Sequence, residues 1–193
     1  MNEVNLKDNK FQVFDDIIPK QNQDEIESNL LDSFFPWFYN ISTVHDPKTF
    51  ESHLNQNPKW KNDFQMTHSF VWDGVCESEW TSLLDTMLSF PLQLKDIIRM
   101  KANLQINNGF EVQENPPHVD SKSYDHYVGL YYVSDSDGDT VLYEEDKITE
   151  MARISPKKGR MVFFRGDIYH SSSVPKEYRL RPVININLKN TFV

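Results

Sequence analysis

Three side chains of the 193-residue chain, His118, Asp120 and His170, have the types and spacing of a metal ligand set. In an extended segment residues i and i+2 share a face, so His118-Val119-Asp120 presents an imidazole and a carboxylate side by side. Alone the pair says little: with six histidines and 29 acidic residues, about one such pairing is expected by chance, and a motif match is only a hypothesis. Its setting adds weight. Pro116-Pro117 hold the approach extended, and His170 follows 50 residues after Asp120, behind the strand-like run Gly159-Arg160-Met161-Val162-Phe163-Phe164 and a turn at Gly166-Asp167. Two imidazoles and one carboxylate suit a divalent metal such as iron(II) and leave three coordination positions open. Further on, Arg181, Val183, Asn185 and Asn187 share one face of a strand, while Leu180, Ile184, Ile186 and Leu188 share the other. An arginine followed by asparagines on its own side is expected to line a polar cavity, where its planar fork can hold one end of a dicarboxylate while staying charged.

These residues need a sheet to position them. From residue 97 the period becomes two: Ile98, Met100, Ala102, Leu104 and Ile106 alternate with Arg99, Lys101, Asn103 and Gln105. Further strands are expected over 126–133, 140–144, 150–154, 160–165 and 179–189, separated by turn signals at Asp137-Gly138, Ser155-Pro156 and Arg165-Gly166. Many short strands imply an antiparallel sandwich or barrel. The face bearing Arg99, Lys101 and Asn103 can be a solvated exterior or the wall of an internal cavity, and the strand alone fits both. The N-terminal half reads as helical. Asn22 and Glu25 have capping-box spacing, which predicts a helix with Ile26, Leu30, Leu31 and Phe34 on one face. Ser78 caps a second helix carrying Trp80, Leu83, Leu84, Met87 and Leu88, ended by Pro91. Residues 35–77 are aromatic but irregular, with prolines at 36, 47 and 58, and their position suggests a lid over the cavity mouth.

The length fits one domain of ~100–200 residues. A mean hydropathy of -0.61 and the lack of an apolar run near the ~18 residues a membrane helix needs argue against a transmembrane chain. A net charge of -9 counts against a nucleic-acid or anionic-membrane binder. The single cysteine, Cys76, excludes an internal disulfide and a cysteine-based zinc site. The opening Met1-Asn2-Glu3-Val4-Asn5 lacks an apolar targeting segment, so a cytoplasmic, reducing location is expected.

As an ordered set, His118-x-Asp120, His170 and then Arg181 within Arg-Pro-Val-Ile-Asn-Ile-Asn resemble the 2-oxoglutarate/iron(II)-dependent oxygenase family, in particular its prolyl-hydroxylase-like branch and the small stand-alone members found in bacterial viruses. Leu130-Tyr131-Tyr132-Val133 before Asp137-Gly138-Asp139-Thr140, and Gly159-Arg160 with Phe163-Phe164, look like the pieces that flank the family's metal ligands. The resemblance spans residues 97–189. It implies an α+β, mainly β fold: a double-stranded β-helix (jelly-roll, cupin-like) core over 97–193, with the helices of a supporting region 1–96 packed outside it, as a single oxygenase domain. It further implies iron(II) on His118, Asp120 and His170, 2-oxoglutarate with its distal carboxylate on Arg181, and help from the Tyr132 hydroxyl. Arg179 has the same parity and stands where some members place their arginine, although the trailing asparagines favour Arg181.

The activity implied is oxygen-dependent conversion of 2-oxoglutarate to succinate and carbon dioxide, coupled to hydroxylation of a C–H bond. The substrate would be a peptidyl proline or a small amino-acid-like metabolite, with ascorbate as auxiliary reductant. A carboxylate at position 120 favours hydroxylation over halogenation. Two alternatives stay open, a sensor that binds metal and 2-oxoglutarate without turnover and a cupin-type metalloenzyme that does not use 2-oxoglutarate. Elsewhere the residues read as structural: His45, His53, His68 and His126 as ordinary polar side chains, Cys76 as idle, and Tyr132 as equally at home in a core. Ser134–Asp139 resembles a calcium loop only in composition, since counting from Asp135 puts Thr140 and Asp146 where glycine and glutamate are required. Asp137-Gly138 is instead a hairpin turn. Ser171-Ser172-Ser173 has no nucleophile elbow around it.

Overall fold

A computed structural model describes residues 4–7, 9–43, 64–89, 92–107, 109, 114–122 and 125–190. Its strands are β1 (Phe11–Phe14), β2 (Phe38–Asn40), β3 (Gln65–Trp72), β4 (Val75–Cys76), β5 (Ile97–Ile106), β6 (His126–Tyr132), β7 (Thr140–Tyr143), β8 (Glu150–Ile154), β9 (Met161–Arg165), β10 (Tyr169–Ser172) and β11 (Leu180–Lys189). Eight form one antiparallel sheet in the order β1-β9-β6-β11-β5-β3-β2, with β4 on β3, and β10-β7-β8 form a second. Bridges Glu114–Ser173 and His118–His170 lay the segment before Asp120 along β10. The architecture is a double-stranded β-helix.

Side-chain alternation on β11 and β5 decides what covers each face. Ile184, Ile186 and Leu188 join Met100, Ala102, Tyr131, Met161 and Phe163 in a core closed by Ile26 and Leu30 of helix α1 (Lys20–Leu30) and by Leu84 and Met87. The opposite face supplies Val128, Leu130, Tyr132, Val162, Phe164 and Val183 to a second core with Leu142 and Ile154 of the smaller sheet. The helices therefore pack outside the large sheet. The polar residues of β5 face inward, because Arg181 pairs with Gln105, Asn185 with Lys101 and Asn187 with Arg99 in the β11–β5 register. Phe70 of β3 is fully buried in the outer core. Phe70→Ala is expected to lower unfolding free energy by about 3–5 kcal/mol, read by denaturant titration.

Helix boundaries differ from the sequence expectation. Helix α1 starts at Lys20, two residues before the expected Asn22 cap, behind Pro19, whose ring has no polar atom to make a cap hydrogen bond and whose φ is fixed near -55°. It ends at Leu30, which leaves Phe34 86% exposed. The second helix is a 3-10 turn (Glu79–Leu84) capped by Ser78 Oγ, which accepts from Trp80 N, followed by a short helix α2 (Asp85–Ser89). Its buried residues Thr81, Leu84 and Met87 recur every third position, the period of a 3-10 helix. The irregular stretch 35–77 contains β2, β3 and β4, and His68 is structural there, bridging Pro36 O at 2.9 Å and Ser78 Oγ at 2.8 Å. His45, His53, Pro47, Pro58 and Pro91, and the part of the proposed lid over 44–63, lie outside the described residues. Among the described residues no helix is long and apolar enough to cross a membrane.

Candidate metal centre

A backbone bridge builds the site. His118 N donates to His170 O and His170 N donates to His118 O, both at 2.9 Å. A reciprocally bonded pair of this kind points both side chains to one face, and the ring centroids lie 4.6 Å apart. Asp120 follows two residues later on the same side, and the ligand-capable atoms of all three lie within 4.8 Å of one another. His118 Nδ1 sits 3.0 Å from Pro116 O and His170 Nδ1 sits 3.2 Å from Ile168 O. A carbonyl can only accept, so each Nδ1 carries the proton and each Nε2 keeps a lone pair for a metal.

Asp120 is oriented from both ends. Arg99 Nη2 donates to Oδ1 at 3.1 Å, while Asn187 and Asn185 Nδ2 donate to Oδ2 at 2.7 and 3.2 Å. Burial pushes this carboxyl's pKa up, but Arg99 and the neighbouring imidazoles and Lys101 outweigh it and hold the group well below the ordinary carboxylate value. Burial pushes His118 down to about 4, helped by the nearby His170, and burial likewise lowers His170. Neutral imidazoles and an ionised carboxylate are the protonation states that metal ligation requires. The donor set fits a divalent metal with open positions.

Two expectations arise from this arrangement. The unfolded chain protonates His118 near its ordinary 6.5 but the folded chain only near 4. The metal-free protein therefore keeps its full stability above that window and loses stability as pH falls through it, so its melting temperature drops between about pH 7 and about pH 5. A melting temperature that rises on acidification would contradict the assignment. Asn187→Leu removes the shorter amide contact to Asp120 and is expected to weaken metal binding about 10–100-fold with the fold intact, measured by metal titration.

The cavity around the triad has a volume of about 450 Å³ and extends along β11 to Arg181. Arg181 is buried, and its donors reach only neutral acceptors: Nε to Gly138 O, Nη1 to Gln105 Oε1 at 3.1 Å, and Nη2 to Thr140 Oγ1 at 2.7 Å. A side chain at Gly138 would meet Ser173 O at 2.5 Å and Arg181 Cδ at 2.6 Å, so glycine is required for this close approach. Three of the five guanidinium N–H groups are thus used, and no carboxylate among the described residues forms an ion pair with it. Arg179 is exposed and lies in the bend just before β11. Tyr132 is buried behind Thr140, to which its hydroxyl donates at 2.8 Å, with its ring 5.9 Å from the Arg181 Cζ. Lys101 and Asn103 line the cavity. Burial and the adjacent Arg99 lower Lys101 to about 8. The roles of Arg99, Gln105 and Thr140 were not evident in the sequence. Their inward parity on β5, and for Thr140 its place just after the Asp-Gly turn, were the signals available.

No protein-family model and no curated protein matches this chain. Solved structures do match in fold. One is a prolyl hydroxylase from Trichoplax adhaerens in complex with a hypoxia-inducible-factor oxygen-degradation-domain peptide, at 13% identity and TM-score 0.61, covering 97% of this chain and 87% of that one. Another is an oxidoreductase of the 2OG-Fe(II) oxygenase family from Burkholderia pseudomallei, at 10% identity and TM-score 0.60, covering 95% and 87%. A Pseudomonas putida prolyl-4-hydroxylase matches at 10% identity and TM-score 0.56, covering 96% and 95%.

Proposed function

We propose that residues 1–193 form a single 2-oxoglutarate- and iron(II)-dependent dioxygenase domain of the prolyl-hydroxylase-like kind, which hydroxylates a C–H bond of a peptidyl proline or a small amino-acid-like metabolite. Arg181 carries the reading: a buried guanidinium, without a carboxylate partner among the described residues, lines the same cavity as the His118, Asp120 and His170 donors. Buried charges are paired in stable proteins, so this one is built for an anion from outside.

In this reading the Nε2 atoms of His118 and His170 and a carboxylate oxygen of Asp120 hold iron(II), with Asn185 and Asn187 keeping Asp120 in place. When bound, the metal together with 2-oxoglutarate and dioxygen supplies the oxidising power, giving succinate and carbon dioxide, with ascorbate as reductant. Arg181 receives the distal carboxylate of 2-oxoglutarate through its two remaining N–H groups. Thr140 Oγ1 already accepts from both Tyr132 and Arg181, so its own proton is free to be donated to that carboxylate, and Tyr132 acts through Thr140. Val183, between Arg181 and Asn185 on β11, and Leu130 offer apolar surface to the methylene chain.

The test is succinate formation from 2-oxoglutarate under air with iron(II), against a panel of proline peptides and free amino acids. Iron-dependent succinate, stimulated by one class of the panel, is the expected result. Tight 2-oxoglutarate binding without succinate would make the protein a sensor. Metal-dependent chemistry indifferent to 2-oxoglutarate would make it a cupin-type enzyme.

A further inference from the structure

Gln105 stands on β5 directly opposite Arg181 of β11, 3% exposed, in the wall of the cavity that holds the metal ligands. Its Oε1 accepts from Arg181 Nη1 at 3.1 Å. A guanidinium can only donate, so this contact fixes which end of the amide faces it: the oxygen is committed to Arg181 and the nitrogen is turned elsewhere. That Nε2 is buried with no acceptor among the described residues. Buried amide hydrogens are nearly always paired, and one left alone destabilises the fold unless a ligand brings the acceptor.

The residue type is informative as well. A glutamate opposite Arg181 would hold the guanidinium equally well, but the pair would cancel its charge and close the site to an anion. Glutamine orients the arginine and leaves that charge uncancelled. Gly138 O and Thr140 Oγ1, the other two acceptors, are neutral with the same effect. A carboxylate presents two oxygens with about four lone-pair sites. Available to it here are one remaining N–H on each of Arg181 Nη1 and Nη2, the Thr140 hydroxyl proton and Gln105 Nε2. Donors of this number and kind complement a carboxylate and oppose a carboxamide, whose own N–H groups would meet them head on.

Resting on the dioxygenase reading, we propose that Gln105 is a direct ligand of the co-substrate: its Nε2 donates to the distal carboxylate of 2-oxoglutarate beside Arg181, and through that contact the site rejects a co-substrate whose far end is a neutral amide.

The test uses the full chain loaded with manganese(II), with binding read by calorimetry. The probes are 2-oxoglutarate and two stable analogues in which an N–H replaces one methylene, oxalylglycine with a carboxylate at its far end and oxalylglycinamide with a carboxamide there. The wild type is expected to prefer oxalylglycine. Gln105→Met should weaken 2-oxoglutarate binding about 10–100-fold. Gln105→Glu should weaken it by at least about 100-fold, yet bind oxalylglycinamide about tenfold more tightly than the wild type does, because the new carboxylate accepts from the amide N–H groups. That gain separates a residue in contact with the co-substrate from one that merely holds Arg181. Gln105→Glu also keeps an acceptor for Arg181, so it carries the test even where Gln105→Met melts below the assay temperature. Manganese affinity should stay at the wild-type value, because Asp120 is held from positions 185 and 187, away from the 105–181 pair. Unchanged 2-oxoglutarate binding in Gln105→Met, no gain for oxalylglycinamide in Gln105→Glu, or a loss of manganese affinity in step with that of 2-oxoglutarate would overturn the proposal. Failure of the wild-type protein to bind 2-oxoglutarate at all is a distinct result, which removes the dioxygenase reading and this inference with it.

Discussion

Alanine at His118, Asp120 or His170 is expected to abolish metal-dependent turnover while the two histidine variants still unfold cooperatively. The separation between function and fold follows from how the site is made. The contact that joins the two lanes is main chain to main chain, His118 N to His170 O and the reverse, and it survives truncation of either imidazole. What is lost is one of three donors, and with it the metal. The buried His170 ring also packs 5.0 Å from the Phe164 ring, so His170→Ala carries a modest packing cost of about 1–3 kcal/mol. Asp120 is different. Its removal leaves Arg99, Asn185 and Asn187 around a hole that held their acceptor, so Asp120→Ala is expected to lose about 3–5 kcal/mol of stability as well. Asp120→Asn keeps the shape and isolates the loss of ligand charge. Manganese(II) titration read by electron paramagnetic resonance, beside thermal melts, separates the two effects. A variant that binds metal as the wild type does would strike its residue from the ligand set.

Much of this centre was legible because it depends on strand parity, which is local. The i, i+2 relation of His118 and Asp120 and the run Arg181, Val183, Asn185, Asn187 survive into three dimensions unchanged, because each lies on one extended segment. The polar face of β5 was ambiguous for a matching reason. Alternation says that Arg99 and Lys101 share a side, but which side faces inward is set by the helices that cover the other face through Ile26, Leu30 and Leu84. Strand β3 was hidden because Gln65–Trp72 alternates poorly, with its register against β5 shifting between Ser69 and Val71. The Arg99–Asp120 pair joins residues on separate segments, and no periodicity reports such a contact. The same holds for Gln105 and Thr140, which are recognisable as holders of Arg181 only once β5 and β7 are both in place beside β11.

Arg181→Ala is expected to weaken 2-oxoglutarate binding by roughly 10²–10³-fold or more, since a buried carboxylate stripped of its charged partner costs about 3–5 kcal/mol. Metal affinity should stay near the wild-type value, because the asparagines that hold Asp120 lie four and six residues further along β11. The same substitution leaves Gly138 O and Gln105 Oε1 without their buried donor, so the variant also melts earlier. The informative readout is therefore 2-oxoglutarate titration of the manganese-loaded, folded protein below its transition. Arg181→Lys should recover only part of the affinity: an ammonium can supply charge, but it cannot serve Gly138 O, Gln105 and Thr140 while still presenting two parallel donors to a carboxylate. Arg179→Ala, in the bend just before β11, provides the control. Arg179 is exposed, and its loss should leave co-substrate affinity unchanged. Equal losses at positions 179 and 181 would mean that general strand disruption is being measured. Normal 2-oxoglutarate binding by Arg181→Ala would leave that guanidinium with no ligand to explain its burial, and the dioxygenase reading would fall.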